Sequence, residues 1–222
     1  MKLLLERWRQ FIDEQVEPAW GNKLRVFDFD DTLATTSSMV KLMLADGTEK
    51  MITPGEFAVY KPAEGEYYDE DPESPNFAFS EFNEVRDGEE IKLVANIMRN
   101  VVGSELMHPE GRKVAILTAR GSPEDWESGA GPAIASFLSD IGIDPDSVPI
   151  VTLGSADPMD KKKWIKDQII KHDFNDIQFF DDSLANVAAV KELQEEHPEI
   201  KLQLWHSSDD ALSAVEEGLQ EE

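Results

Sequence analysis

The chain has 222 residues, 41% of them apolar, and a formal net charge of −25, a length that supports one core domain or a core domain with a large insertion. It contains no cysteine, which excludes a disulfide framework and thiolate metal sites and fits a reducing compartment. The charge opposes non-specific attraction to nucleic acid or anionic membrane. The opening MKLLLERWRQ is too short in apolar residues for a signal-peptide core or a span, so the chain reads as a soluble, cytoplasmic (intracellular) protein with no membrane partner.

Residues 2–19 predict an amphipathic helix, because Leu4, Leu5, Trp8, Phe11, Ile12 and Val16 recur at spacings of three and four. Such a helix would dock on the body or pair with a partner. LRVFDF predicts a short buried strand, followed by a hairpin from Met39 to Ile52 that turns at Asp46-Gly47. Thr53-Pro54 reads as a helix cap with proline in the first helical position. Residues 61–76 read as loop, within a longer stretch from Glu64 to Glu90 that holds eleven acids and one base, Arg86; a solvated surface is the expectation for such a run. Ile91–Val102 predicts an amphipathic helix stopped by Gly103.

From there the pattern is regular. KVAILT, VPIVTLG, IQFFDD and KLQLWHS predict strands, separated by helices over GPAIASFLSDIGI, DKKKWIKDQIIKH and SLANVAAVKELQEE, with a last helix over DDALSAVEEGLQ. Strands alternating with helices imply an α/β fold, a parallel sheet covered on both faces.

Polar groups cluster at predicted strand ends: Asp28 and Asp30 after the first strand, Thr118 after KVAIL, Asp181 and Asp182 after IQFF. In an open parallel sheet ligands bind at the carboxyl ends of strands, near the point where strand order reverses. Aspartate at one strand end is ordinary turn and cap chemistry, but matching chemistry at three ends points to one site. Carboxylates brought together there repel, and at least one must take up a proton unless a cation intervenes. A hard divalent cation such as Mg²⁺ resolves the conflict, since it takes oxygen ligands and is often shared between carboxylates and a substrate phosphate.

These segments resemble motifs of the haloacid dehalogenase (HAD) superfamily. VFDFDDTLA is similar to its first motif, VAILTAR to its second and IQFFDDSLANV to its fourth, while DPMDKKKWI holds the lysine of the third. The wording of LTAR and FFDDS is further similar to a branch associated with phages and RNA repair. The resemblance implies a Rossmann-like parallel sheet with a flap or cap inserted after the first strand. It divides the chain into an N-terminal helix (1–22), a core (23–36 and 104–222) and an insertion (37–103). It also implies a Mg²⁺-dependent phosphatase that works through an aspartyl-phosphate. Asp28 would be the nucleophile, Asp30 the general acid and base, and Thr118 a phosphate-oxygen donor. Asp28, the main-chain carbonyl of Asp30, Asp181 and Asp182 would hold the metal. Asp31 stands where many members have glycine, though Asp also occurs there.

Lys161 lies four residues before Ile165 and eight before Ile169, on the inward face of its helix; Lys162 is nearly as well placed, and Lys163 points away. Lys161 is the choice for the catalytic lysine. Arg120 stands near enough to Thr118 to reach a substrate phosphate bidentately, and an ordinary surface arginine is the equal alternative. Asn186, one turn past Asp182, is placed to brace the acid loop. The histidines show no metal-ligand spacing, and the tryptophans read as core. A small phosphorylated substrate is the expected partner. A polynucleotide 3′-end is the alternative substrate, opposed by the charge, and a non-catalytic interaction module on the same fold is the alternative of a different class. The sequence is silent on oligomeric state.

Overall fold

The computed structural model describes residues 22–44, 46–58, 60, 77–107, 111–121, 129–208 and 211–214. The helix predicted over 2–19 and the loop predicted over 61–76 lie outside the described residues. No described helix is long and apolar enough to cross a membrane.

The centre of the fold is β1 (Lys23–Phe27), hydrogen-bonded on one side to β7 (Arg112–Thr118) and on the other to β9 (Asp176–Asp181), both parallel. With β8 (Ile150–Thr152) beyond β7, β10 (Lys201–Ser208) beyond β9 and β11 (Ala211–Ala214) at the far edge, the sheet runs β11-β10-β9-β1-β7-β8. The strands from β10 to β8 are parallel and β11 is antiparallel to β10. This is the α/β, Rossmann-like architecture expected. The chain leaves β1 toward β7 and β8 and then returns to β9, so strand order reverses beside β1, where such sheets bind ligands.

The strands are apolar on both faces because both faces are covered. Leu24 and Val26 of β1, Leu117 of β7 and Phe179 of β9 pack with Ile165 and Ile169 of α4 (Pro158–His172) and Val187 and Val190 of α5 (Leu184–Lys191). Phe27, Ile116 and Phe180 face the other way, toward Ala95 and Met98 of α2 (Lys92–Met107) and Ile134 and Leu138 of α3 (Ala130–Asp140). Two one-turn helices complete the numbering, α1 (Pro54–Ala58) and α6 (Leu193–Glu196). At α1 the sequence reading holds in detail: Thr53 Oγ1 accepts the Glu56 main-chain N–H at 3.1 Å and Glu56 Oε2 accepts the Thr53 N–H at 2.7 Å, a reciprocal cap.

After β1 the chain makes β2 (Ala34–Thr35), which pairs with β6 (Glu89–Glu90). Between them lies a separate sheet of order β4-β3-β5, built from β3 (Val40–Met43), β4 (Glu49–Ile52) and β5 (Phe77–Ala78), then a 3-10 turn over Ser80–Asn83. The β3–β4 pair is the predicted hairpin, and its small core joins Val40, Ile52 and Phe82 to Phe57, Tyr60 and Phe77.

Two expectations are corrected. Gly103 does not stop its helix: α2 runs on to Met107, since one interior glycine costs only about 1 kcal/mol and the packed face of the helix offsets it. That helix buries Val94, Ala95, Met98 and Val102 in the main core, so a boundary between 103 and 104 would cut a core helix. The start of the predicted last helix is a strand, because Ala211–Ala214 pairs with Trp205–Ser208 and closes the open edge of β10.

One row of aromatic rings crosses the sheet beneath the site. Phe27 stacks on Phe180 with centroids 4.4 Å apart, and Phe180 on Trp205 at 6.0 Å, both pairs 7° from parallel. The register aligns Phe27 with Phe180 and Phe180 with Trp205, so the stack follows from strand pairing. Phe180→Ala removes the middle ring and is expected to cost about 3–5 kcal/mol. Urea unfolding with an unchanged m-value reads this loss, and a loss below about 1 kcal/mol would show that the row does not bear on stability.

Candidate functional site

Three polar residues of the site each come one residue after that aromatic row. Asp28 follows Phe27, Asp181 follows Phe180, and His206 follows Trp205 and stands opposite Asp181 in the register. The Asp28 main-chain N–H donates to the Phe180 carbonyl at 2.9 Å, continuing the ladder to the end of β1. The chain then turns sharply. Asp31 adopts a left-handed φ of 52°, a conformation that glycine enters freely and aspartate tolerates better than most residues. The turn closes with the Asp31 N–H donating to the Ala34 carbonyl at 2.8 Å.

Asp28, Asp181 and Asp182 each offer a carboxylate oxygen, and these oxygens lie within 4.8 Å of one another. Lys161 inserts from the start of α4. Its ammonium donates to Asp28 Oδ1 at 2.7 Å and to Asp181 Oδ2 at 2.8 Å, with its side chain 4% exposed. Its place follows from the helix: Pro158 occupies the first helical position after the Asp157 cap, and Lys161 heads the buried row that continues through Ile165 and Ile169. The same helix sends Lys162 to Glu192 at 2.5 Å and Glu196 at 2.7 Å, away from the aspartates, and leaves Lys163 exposed.

Asp181 is fixed on all sides. Its Oδ1 accepts the Ser183 main-chain N–H and the Asn186 side-chain amide, each at 2.9 Å, so Asn186 does brace the acid loop. Asp182 is held by its main chain, whose carbonyl accepts the His206 Nε2–H at 2.8 Å, and by Thr32 Oγ1, which donates to Asp182 Oδ1 at 3.4 Å. The sequence reading passed over His206 and Thr32. The available signal for His206 was position, at the end of the strand next to the aspartates, rather than metal-ligand spacing. Thr118, buried at the end of β7, accepts the Arg120 main-chain N–H on Oγ1 at 3.1 Å, and among the described residues its hydroxyl proton has no acceptor.

Asp30 and Arg120 stand apart from this cluster and are paired with each other. Arg120 Nε donates to Asp30 Oδ2 at 2.7 Å and Nη2 to Asp30 Oδ1 at 2.6 Å. The substrate contact expected of Arg120 therefore meets a geometric obstacle, because its remaining N–H groups go to Thr36 Oγ1 and the carbonyls of Phe82 and Glu84. The Asp30 carboxylate does not join the metal-type cluster either; the donor expected there is its main-chain carbonyl.

Burial pushes the Asp28 carboxyl well above its ordinary value; Lys161 opposes the rise, and repulsion from Asp181, Asp182 and Asp30 adds to it. Asp182 is pushed up to about 7, first by burial and then by Asp181 and Asp31. Burial alone would lower the Lys161 ammonium, but Asp28 and Asp181 outweigh it and hold the group above its usual value. One buried cation thus faces three carboxylates, and the donor set, all hard oxygen within a few ångströms, could hold a hard metal ion rather than a soft one. The described residues also line a cavity of about 310 Å³ at the amino ends of β1 and β7, between Leu24, Lys113, Trp164 and His172. No carboxylate lines it and it lies at the other end of the sheet, so it offers none of this chemistry.

No protein-family model and no curated protein matches the chain. A structural likeness to DsGPDH of Dunaliella salina covers 86% of this chain and 25% of that one, at 17% identity and a TM-score of 0.33. A superposition that loose carries no argument about function.

The raised Asp182 carboxyl sets a pH dependence. The folded state holds a proton that the unfolded chain releases near the ordinary value of 3.8, so this contribution to stability is complete below that value and is lost as pH rises through about 7. In EDTA the melting temperature is expected to fall between about pH 4 and 7, and Asp182→Asn to flatten that fall and shrink the rise produced by Mg²⁺. An unchanged slope and an unchanged Mg²⁺ response in the variant would remove Asp182 from the charge cluster.

Proposed function

We propose that this chain is a phosphomonoester hydrolase of the haloacid dehalogenase type that works through an aspartyl-phosphate on Asp28. The observation that carries the reading is the buried Lys161 ammonium bridging Asp28 and Asp181, with Asp182 beside them, at the carboxyl end of β1. A structural ion pair needs one carboxylate per lysine. This arrangement holds more acid than its cation neutralises, at the point where a parallel sheet binds ligands.

The roles are those the resemblance implies, and the contacts of Asp28, Lys161 and Thr118 support them. Asp28 attacks phosphorus, and Lys161 holds it in place and offsets the charge that builds on the phosphoryl oxygens. Thr118 donates its hydroxyl proton to a phosphoryl oxygen. Asp30, on the turn just past the nucleophile, gives the leaving oxygen its proton and afterwards takes one from the attacking water. Asp28, Asp181 and Asp182, with the Asp30 carbonyl, would hold Mg²⁺, which supplies charge neutralisation and orientation of the phosphate. Residues 37–91 then form the flap or cap, with 92–103 given to the core, and the N-terminal segment stands outside both. A small phosphoester is the preferred substrate class, since the charge of −25 opposes a polynucleotide.

Purified protein assayed with a panel of phosphoesters, including a 3′-phosphorylated oligonucleotide and a mononucleotide, is expected to show turnover that Mg²⁺ supports and EDTA abolishes. Asp28→Asn is expected to fall below about one thousandth of the wild-type rate, because an amide cannot form the acyl-phosphate. Absence of metal-dependent turnover across the panel would overturn the reading, and near-normal Asp28→Asn activity would overturn the nucleophile assignment. Preference for the oligonucleotide would move the substrate to nucleic-acid ends.

A further inference from the structure

We propose that Arg120, together with the insertion turn it grips at Phe82–Glu84, is the positioning apparatus of Asp30; this rests on the phosphatase reading above. Arg120 has a side chain only 1% exposed. A buried guanidinium persists only where its donors are paired. Here Nε and one Nη2 bond hold both oxygens of Asp30, a second Nη2 bond reaches Thr36 Oγ1 at 3.0 Å, and Nη1 donates to the carbonyls of Phe82 at 3.2 Å and Glu84 at 2.5 Å. The guanidinium carbon lies over two rings, 5.2 Å from the centroid of Phe29 and 5.1 Å from that of Phe82. Phe29 belongs to the main core and Phe82 to the small core of the insertion. The guanidinium is therefore the point where core, insertion and Asp30 meet.

No donor of Arg120 is left for a phosphate, so its action on the reaction runs through Asp30. Thr36 Oγ1 donates to Asp30 Oδ1 at 3.3 Å, and that oxygen also takes Arg120 Nη2. Among the described residues Oδ2 takes Arg120 Nε alone, which leaves it a lone pair. The structure thus assigns Oδ2 as the oxygen that serves the proton transfers. In the first step the Asp28 oxygen bonds to phosphorus, the bond to the leaving oxygen breaks, and that oxygen takes the proton from Asp30. In the second step the water oxygen bonds to phosphorus, the bond to the Asp28 oxygen breaks and restores its carboxylate, and the water proton goes to Asp30. Proton transfer at one oxygen depends on direction and distance, which the fork of Arg120 supplies and a single charge does not.

The test compares kcat/KM, which covers the steps through departure of the leaving group, for 4-nitrophenyl phosphate and for an alkyl phosphate, with Mg²⁺. The nitrophenolate leaves without a proton and the alkoxide does not. Arg120→Lys is expected to reduce the alkyl ester at least about tenfold more than the aryl ester, with KM for both little changed. Adding Arg120→Lys to Asp30→Asn is expected to bring no further selective loss. Equal losses on both esters, or a raised KM with kcat retained, would overturn the proposal, the latter by marking a direct phosphate contact. Where Arg120→Lys does not melt cooperatively, Phe82→Leu decides. It keeps an apolar side chain in the small core and removes the ring that faces the guanidinium from the insertion. A selective loss of at least about threefold supports the proposal and an unchanged ratio overturns it. A wild type that hydrolyses neither ester overturns the phosphatase reading itself, and with it this proposal.

Discussion

The constraint on which the rest depends is the repulsion among Asp28, Asp181 and Asp182 at the ends of neighbouring strands. Taking carboxylates out of water is costly, and placing them together adds to the cost. The surrounding structure answers it piece by piece. Lys161 comes from the first turns of α4 to touch two of the three. The start of α5 supplies the Ser183 N–H and the Asn186 amide to Asp181. The loop after β1 supplies Thr32, and β10 supplies His206. These partners come from separate elements, so the acid cluster couples helix placement, strand register and loop conformation. What remains uncompensated after Lys161 is the negative charge that a divalent cation would meet.

Beneath the charges lies the stack of Phe27, Phe180 and Trp205. It has two physical effects. It makes the register of β1, β9 and β10 specific, since a slip by one residue would turn each ring to the opposite face. It also places an apolar floor under the carboxylates, so burial rather than pair repulsion is the leading cause of the raised Asp28 and Asp182 carboxyls. The same floor that stabilises the fold therefore tunes the site.

Much of this was legible in the sequence because it is local or periodic. The strand ends carry their polar residues in plain view, and the spacing of Lys161 to Ile165 and Ile169 places it inward without knowledge of what it meets. Asn186 was legible for the same reason. The features missed are those decided by distant partners. Ala211–Ala214 has helix-compatible residues, and only the exposed edge of β10 makes it a strand. Gly103 reads as a stop until α2 is seen packed against the sheet. Arg120 is close enough to Thr118 in sequence to suggest a phosphate ligand. Its partners at Asp30, Phe82 and Glu84 lie in segments that no spacing rule connects to it.

The acidic insertion looks at odds with a site for anionic substrates, and the contacts reduce the conflict at its base. Glu81 and Glu84 pair with Arg86, and Glu90 pairs with Arg99. Asp87 accepts the Ser37 hydroxyl, and Arg120 is itself a cation buried at the junction. Glu81, Glu84, Asp87 and Glu90, near the neck of the insertion, are thus engaged. The chain as a whole still carries 46 acids against 21 lysines and arginines, so its long-range field repels a phosphate dianion and gives no steering. If the chain takes a phosphate as proposed, recognition would act at short range, through groups that lie within the site and are shielded from that field. Lys161 and the Thr118 hydroxyl are such groups, and both are buried. A site organised this way gains little from a long anionic chain, since each added phosphate meets the acidic surface. Under the proposed phosphatase reading, such a site would favour a substrate whose charge is confined to the one phosphate that enters.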